Sequence, residues 1–326
     1  MDFLKADSMP WLKNSQDRLR AARTADRLPH SLLLLAAPGL GAEYLANWIA
    51  AVALCESADK RPCGQCASCR LLNADSHPDS HVVRLEEDAH QIKVDQVRGL
   101  IDSLALKSYR GGYKVGVIEG AELLNANGAN AFLKTLEEPT ADTVLIMIAR
   151  PNHRLPATIA SRCLRLILRP PSIDAAISWL KAQAPPQAGL AALALAGGAP
   201  LLAMELEVAD IAALNADMEQ DLAALTAGSV DVTLLAERWV KSNPGLRMVW
   251  LENWITRRVY AHLGAGTLRQ SAELVRLPAS LLKPKIRVLF ELLDAARELR
   301  RLAPTGMNQQ LALEAFLLGG RNALAK

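Results

Sequence analysis

Apolar positions follow two different periods along this chain. The stretch Lys114–Cys163 shows the first of them most plainly. Lys114–Ile118 is a short apolar, β-branched run, the pattern of a buried strand. Asn125 or Asn127 can cap a following helix, whose Ala129, Phe132, Leu133 and Leu136 recur at helical spacing. Pro139 ends that helix, because it has no amide proton to donate and restricts the residue before it. Thr143–Ile148 is a second buried-strand run. A turn at Pro151 and Pro156 then leads into a short helical turn over Thr158–Cys163. Strand, helix and strand at this spacing predict a βαβ unit with a parallel sheet.

The same alternation extends towards the amino terminus. Asn14–Ala25 predicts an amphipathic helix with Leu19 and Ala22 on its inner face, broken at Leu28-Pro29-His30. Ser31–Ala37 then reads as a strand, followed by a glycine-bearing loop and a helix. His81–Leu85 predicts a further strand, Lys93–Leu106 a helix, and Arg110–Tyr113 the turn that feeds Lys114. Glu86, Glu87 and Asp88 read as a solvated loop. Beyond Cys163 comes one last strand and then Pro170-Pro171. From there the period is helical throughout. Short helices are expected over Ile173–Leu180, over Gly189–Ala196 and from Leu201, and longer ones from about Val208, with breaks at Asn243-Pro244-Gly245 and Leu282-Lys283-Pro284. Trp239, Trp250 and Trp254 fit helix packing, and Arg297, Arg300 and Arg301 a solvated helix face. The expected class is therefore α/β followed by all-α: a parallel-sheet domain over residues 1–168, a small helical domain over 169–206 and a larger one over 207–326.

Composition narrows this only a little. A chain of 326 residues, 51% of them hydrophobic, can bury more than one core. The formal net charge of +3 is too small for nucleic-acid binding by bulk electrostatics, which disfavours a zinc-ribbon nucleic-acid binder. The opening residues are charged and amphipathic without a signal-peptide apolar core, and no run reaches the roughly 18 apolar residues of a membrane span. A soluble, cytoplasmic protein is expected.

Two stretches bear chemistry. The first, Ala36-Ala37-Pro38-Gly39-Leu40-Gly41-Ala42-Glu43, has the layout of a phosphate-binding loop. Such a loop needs glycines so that backbone amides face the phosphates, a lysine for the terminal phosphates and a hydroxyl for magnesium. Gly39 and Gly41 are kept, Ala42 stands where the lysine belongs, and Glu43 brings negative charge to the hydroxyl position. A nucleotide hydrolase also carries an acidic pair at a strand end, one for the metal and one to orient water. Here Glu119 could hold magnesium, but Gly120 cannot polarise anything. The loop has the form of a nucleotide site without its charges.

The second stretch holds Cys55, Cys63, Cys66 and Cys69, with seven, two and two residues between them. Four thiolates can close a tetrahedral structural zinc site with no open position for catalysis. An iron–sulfur cluster commonly adds a cysteine and proline soon after the third ligand, where this chain has Arg70-Leu71-Leu72. Disulfides do not suit a cytoplasmic chain. His77-Pro78-Asp79 and His81 follow, offering either a further ligand or, more simply, a turn before the strand.

The motifs LLNANGANAFLKTLEEP and LPATIASRC, in this order and separation, resemble the ATPase-type (AAA+) domain of bacterial DNA polymerase III clamp-loader subunits. The resemblance covers roughly the first two hundred residues in layout. It implies a zinc module inserted after the first sheet helix, a helical lid, and a last domain that joins a ring-shaped collar with other subunits. The polar sensor expected after the second strand is replaced within Ile148-Ala149-Arg150, and Leu201-Leu202 offers no arginine to a nucleotide. With the loop and Gly120, these departures resemble the non-hydrolysing members of the family rather than its gamma-type motors. ATP is expected to be neither hydrolysed nor tightly bound; the alternative is an active ATPase with an unusual loop. The partners implied are motor (gamma/tau) and delta subunits, with the sliding clamp and primer–template DNA met through the complex. Ser161-Arg162-Cys163 matches the family's SRC motif, in which the arginine reaches a phosphoryl group bound by a neighbouring subunit. By itself Arg162 could equally be a surface arginine paired with a carboxylate. Its place after the second strand suggests the carboxyl edge of the sheet, where such folds bind ligands.

Overall fold

A computed structural model describes residues 3–58, 60–86, 89, 91–151, 155–183, 189–206, 208–262, 286–302 and 308–324. The chain divides into two compact units, Met1–Pro171 and Ser172–Lys326.

The first unit is built on five strands, β1 (Ser31–Leu35), β2 (Ser80–Val83), β3 (Lys114–Glu119), β4 (Thr143–Ala149) and β5 (Leu164–Ile167), in the order β2-β3-β4-β1-β5. Every pairing is parallel, as the strand–helix alternation predicts. All of β4 is buried, which explains why it reads as a continuous apolar run rather than an alternating one. Helix α1 (Lys13–Thr24) precedes β1, and between the strands lie α2 (Ala42–Leu54), α3 (Ala67–Asn73), α4 (Val94–Ala105), α5 (Ala126–Glu137) and the single turn α6 (Ala157–Ala160).

Packing follows the helical stripes. Val97, Leu100 and Leu104 of α4 and Ala129, Phe132 and Leu136 of α5 bury one sheet face with Leu33, Ile118, Leu145 and Met147. Helix α2 packs against β1, β3 and β4. Of the two candidate caps it is Asn125 that starts α5, its side chain accepting from the Gly128 amide at 2.7 Å, a contact worth about 1 kcal/mol. Lys114 is buried at the start of β3. Its ammonium donates to the Leu104 and Leu106 carbonyls and to the Thr140 hydroxyl at 2.5, 2.9 and 3.0 Å, ending α4 against the sheet.

The second unit is helical, as expected: α7 (Ile173–Gln183), α8 (Leu190–Leu195), α9 (Pro200–Glu205), α10 (Val208–Ala227), α11 (Val232–Lys241), α12 (Pro244–His262), α13 (Ile286–Leu302) and α14 (Gln309–Leu324). Helix α8 touches α7 and α9 and also α12, while α12 packs on α13 and α11 on α14. Trp239, Trp250 and Trp254 are all buried, the last two stacked with ring centres 6.3 Å apart. Trp239 and Trp250 each donate an indole N–H inward, to Asp221 at 2.7 Å and to Asn215 at 2.5 Å. Arg297 and Arg300 are exposed, as the solvated face expected of them requires, and the Arg300 guanidinium also pairs with the mostly buried Glu252 at 2.9 Å. The expected break at Leu282-Lys283-Pro284 lies outside the described residues, as do Glu87, Asp88 and the Arg301 side chain. Among the described residues, no helix is long and apolar enough to cross a membrane.

Candidate functional site

The carboxyl edge of the sheet gathers most of the residues singled out in the sequence. Gly39 and Gly41 in the loop after β1 have φ of 78° and 83°, the left-handed conformation that lets a strand turn sharply into α2. Gly41 is the N-cap residue of α2, and its carbonyl accepts from Leu45 at 2.9 Å. Leu40, between the two glycines, is buried, and its carbonyl takes the indole N–H of Trp11 at 2.9 Å. Ala42 is buried in the first turn of α2, next to the partly exposed Glu43. The loop therefore keeps the two left-handed glycines of a phosphate-loop layout, and an indole N–H satisfies the carbonyl between them.

Glu119 ends β3, where the metal-binding acid would stand. Its carboxylate is held along one edge of a guanidinium: Arg84 Nε donates to Oε2 at 2.8 Å and a terminal nitrogen to Oε1 at 3.1 Å. The carboxylate expected to be open to magnesium is thus already in a bidentate pair, the strongest carboxylate–arginine geometry. Gly120 follows with φ 80° and ψ 47°. At the end of β4, Arg150 pairs with Glu122 at 3.5 Å, so the sensor position also carries an internal ion pair.

Arg162 lies elsewhere. Strand β5 runs parallel to β1 with Leu164 beside Leu32 and Ile167 beside Leu35. Arg162 precedes β5, so it stands at the amino edge of the sheet and not at the carboxyl edge that its sequence position suggested. The reason is topological: a parallel strand must restart at the sheet's amino edge, so the chain after β4 travels back through α6 before entering β5. The five residues of β1 separate the two edges by about 16 Å at ~3.3 Å per residue. The guanidinium is partly exposed and pairs with Glu137 of α5. It also donates to the Thr158 carbonyl at 2.8 Å and the Ser161 hydroxyl at 3.4 Å. Cys163 is half-buried with its thiol 3.2 Å from the Ile159 carbonyl, and burial pushes its pKa up to about 11, which makes it an inert packing thiol.

The four clustered cysteines do converge. The sulfurs of Cys55, Cys63, Cys66 and Cys69 all lie within 4.8 Å of one another. Cys55 and Cys66 are 4.0 Å apart and Cys63 and Cys69 3.9 Å apart. A tetrahedron with metal–sulfur bonds of ~2.3 Å has edges of about 3.8 Å, so this donor set fits a four-thiolate metal site. Backbone amides are aimed at the sulfurs: Gln65 and Cys66 donate to Cys63 at 3.5 and 3.3 Å, and Cys69 to Cys66 at 3.4 Å. Those amides lower the Cys63 pKa to about 6, favouring the thiolate, whereas burial pushes Cys55 and Cys69 up. His77 is not a further ligand. Its Nδ1 accepts from the Asp79 amide at 3.1 Å and its Nε2 lies 3.1 Å from the Ser68 hydroxyl. Ser68 in turn donates to Glu56 at 2.9 Å, and Arg110 binds Glu56 at 2.6 and 2.9 Å, tying the cysteine module to the turn before β3. His81 lies in β2, where the turn-then-strand reading placed it.

The family described as "DNA polymerase III, delta subunit" matches residues 12–172. The DNA polymerase III subunit delta' of Pseudomonas aeruginosa is 33% identical over 96% of this chain and 97% of its own length. This chain belongs to the delta' family. The delta' subunit of Escherichia coli is 32% identical over 95% of the chain and 94% of its own length. The tau subunit of Salmonella typhimurium is 33% identical over 44% of the chain and 22% of its own length. The delta' relatives span both compact units, so the family resemblance read from the first is matched by likeness along nearly the whole chain.

Four contributors to these sites were not legible in the sequence: Trp11, Arg84, Glu137 and Glu122. Glu137 lies inside the LKTLEEP motif and was visible only as the end of a helix. The others act across 28 to 35 residues, and no local spacing announces such pairs.

Proposed function

We propose that this chain is a non-hydrolysing subunit of a DNA polymerase III clamp loader. It assembles with gamma/tau motor subunits and a delta subunit, and it supplies Arg162 in trans to an ATP site on the neighbour. ATP-driven loading of the sliding clamp onto primed DNA is then a property of the complex, met by this chain through its partners. The chain itself neither hydrolyses ATP nor binds it tightly, because Ala42 and Glu43 remove the loop's cation and hydroxyl and Gly120 removes the catalytic carboxylate. These three residues also weigh against a gamma-type ATPase active in its own right. The cysteine module holds one structural zinc through Cys55, Cys63, Cys66 and Cys69.

The observation that carries this reading is the position of Arg162, partly exposed at the opposite edge of the sheet from this chain's own loop. A guanidinium there cannot reach a phosphate bound after β1. It can meet one held by a subunit packed against that edge. An arginine supplied in this way contributes roughly 10³–10⁵-fold in rate at the site it serves. The test is to assemble the complex with wild-type chain or Arg162→Ala, confirm equal assembly by gel filtration, and compare DNA- and clamp-stimulated ATPase and clamp loading. The variant should lose the share of ATPase due to one motor site, and loading should fall with it. Unchanged rates in both assays would sink the reading.

A further inference from the structure

Arg162 is not held as a loose surface side chain, and the residue that holds it from another element is Glu137. We infer that Glu137 is a positioning residue: its carboxylate fixes the Arg162 guanidinium in the orientation in which it meets the neighbour's phosphate. The inference rests on the trans role proposed above for Arg162 and adds a residue to it.

Three contacts define the arrangement. Glu137, at the last position of α5, pairs with one terminal nitrogen of Arg162. The other terminal nitrogen donates to the Thr158 carbonyl at 2.8 Å and to the Ser161 hydroxyl at 3.4 Å. Thr158 and Ser161 belong to the same short turn as Arg162, so by themselves they tether the guanidinium only to its own segment. Glu137 is twenty-five positions away in sequence and stands on a helix whose Phe132 and Leu136 are anchored in the sheet core. It therefore ties the guanidinium to the rigid body of the domain. These partners take three of the five N–H groups of an arginine and leave two outside these contacts. With 34% of its side chain exposed, the guanidinium is fixed and still reachable.

As a contribution to stability such a pair is small, since half-exposed ion pairs are screened and worth little. Its value is in order. A long side chain that must be immobilised at each encounter gives up affinity for the transition state, and a preorganised one does not. Removing one such constraint corresponds to about a two- to tenfold change. Glutamine at 137 keeps an oxygen that can accept the same hydrogen bond, whereas alanine removes it.

The experiment uses the assembled complex carrying wild-type chain, Arg162→Ala, Glu137→Ala, Glu137→Gln or the double variant Glu137→Ala/Arg162→Ala. The readout is clamp- and DNA-stimulated ATPase over a range of ATP concentrations, with thermal unfolding of each free chain alongside. Glu137→Ala should lower kcat for the Arg162-dependent share of turnover about two- to tenfold with KM for ATP unchanged. Glu137→Gln should retain most of the rate, all chains should melt alike, and the double variant should match Arg162→Ala. That last equality separates positioning from a merely structural role, because a residue acting only through Arg162 has nothing left to lose without it. A Glu137→Ala complex at the wild-type rate, or above it, beside a defective Arg162→Ala complex would overturn the inference and leave the trans arginine standing. A double variant slower than Arg162→Ala would overturn it as well. If Arg162→Ala itself matches wild type, the trans reading falls and this inference falls with it.

Discussion

Gly120 stands where a hydrolase of this architecture would carry its catalytic carboxylate, and its backbone shows what a side chain there would cost. Its φ of 80° and ψ of 47° lie in the left-handed region. The N–H donates to the Ile148 carbonyl at 3.1 Å and the carbonyl accepts from Leu123 at 2.8 Å. Pinned on both sides, the residue cannot rotate to a conformation that L-residues prefer. A Cβ would meet Leu123 Cδ1 at 3.1 Å, the far end of a flexible side chain, so the steric contribution is minor and the backbone term decides. Left-handed backbone costs an ordinary residue roughly 1–2 kcal/mol, against which the stiffer unfolded chain of an alanine variant regains about 0.4–1 kcal/mol. Gly120→Ala should therefore destabilise the first unit by about 1 kcal/mol, a fall of roughly 2–4 °C in Tm for a unit of this size. Gly99, in the exposed middle of α4, is the matched control: nothing lies within 4 Å of its added Cβ, and Gly99→Ala should stabilise by about 0.5–1 kcal/mol. Differential scanning calorimetry of both variants reads the two signs directly. A Gly120→Ala chain that melts at or above wild type, with Gly99→Ala raised as expected, would refute the reasoning.

Three further outcomes follow from the two sites. Elemental analysis of protein purified without chelator should find about one equivalent of zinc, and Cys66→Ser should release it and raise amide exchange in α3 while the sheet stays protected; iron, or no metal at all, counts against the four-thiolate zinc site. Calorimetry of the free chain with magnesium and ATP should show no tight binding, and a micromolar dissociation constant accompanied by turnover would contradict that expectation. Burial holds His77 below its ordinary value of 6.5, so in the window just under 6.5 the unfolded chain binds the extra proton and the folded chain does not. Stability should then fall as pH drops through that window, His77→Asn should flatten the share due to this residue, and an unaltered slope in urea unfolding would show that His77 does not titrate as described.

Much of this architecture could be read from the chain because its signals are local. Continuous apolar runs at β3 and β4 meant strands buried on both faces, Asn125 and Pro139 bracketed α5 with chemistry of their own, and the cysteine spacing brought four sulfurs together within one short segment. Arg162 was recognisable by its motif but not by its location. Its distance from β4 in sequence suggested the carboxyl edge, and only the parallel register of β5 with β1 sends it to the other one. The pairing of Glu119, which by its sequence position could hold magnesium, is illegible for a related reason. Its partner Arg84 comes from the end of β2, the strand beside β3, and a neighbour across a sheet leaves no periodic trace in either segment.

The carboxyl edge also shows what holds together a loop with a phosphate-binding layout but without the lysine and hydroxyl. An isolated buried or half-buried carboxylate is costly, so an acid that no longer meets a metal needs another cation or must be lost. Both solutions are present on adjacent positions of one strand end: Glu119 is kept and given Arg84, while the next position is Gly120. The loop shows the same division. Its glycines remain because the strand-to-helix turn needs their backbone conformation whatever it binds, and the orphan carbonyl of Leu40 is satisfied by Trp11. Position 150 carries an arginine paired with Glu122. Glu119 and Arg150 direct their charge to contacts within the chain, while Ala42 and Gly120 carry none. Arg162 is the exception in kind. Its three partners, Glu137, Thr158 and Ser161, leave two N–H groups unused and a third of the side chain exposed, at an edge this chain's own loop does not reach.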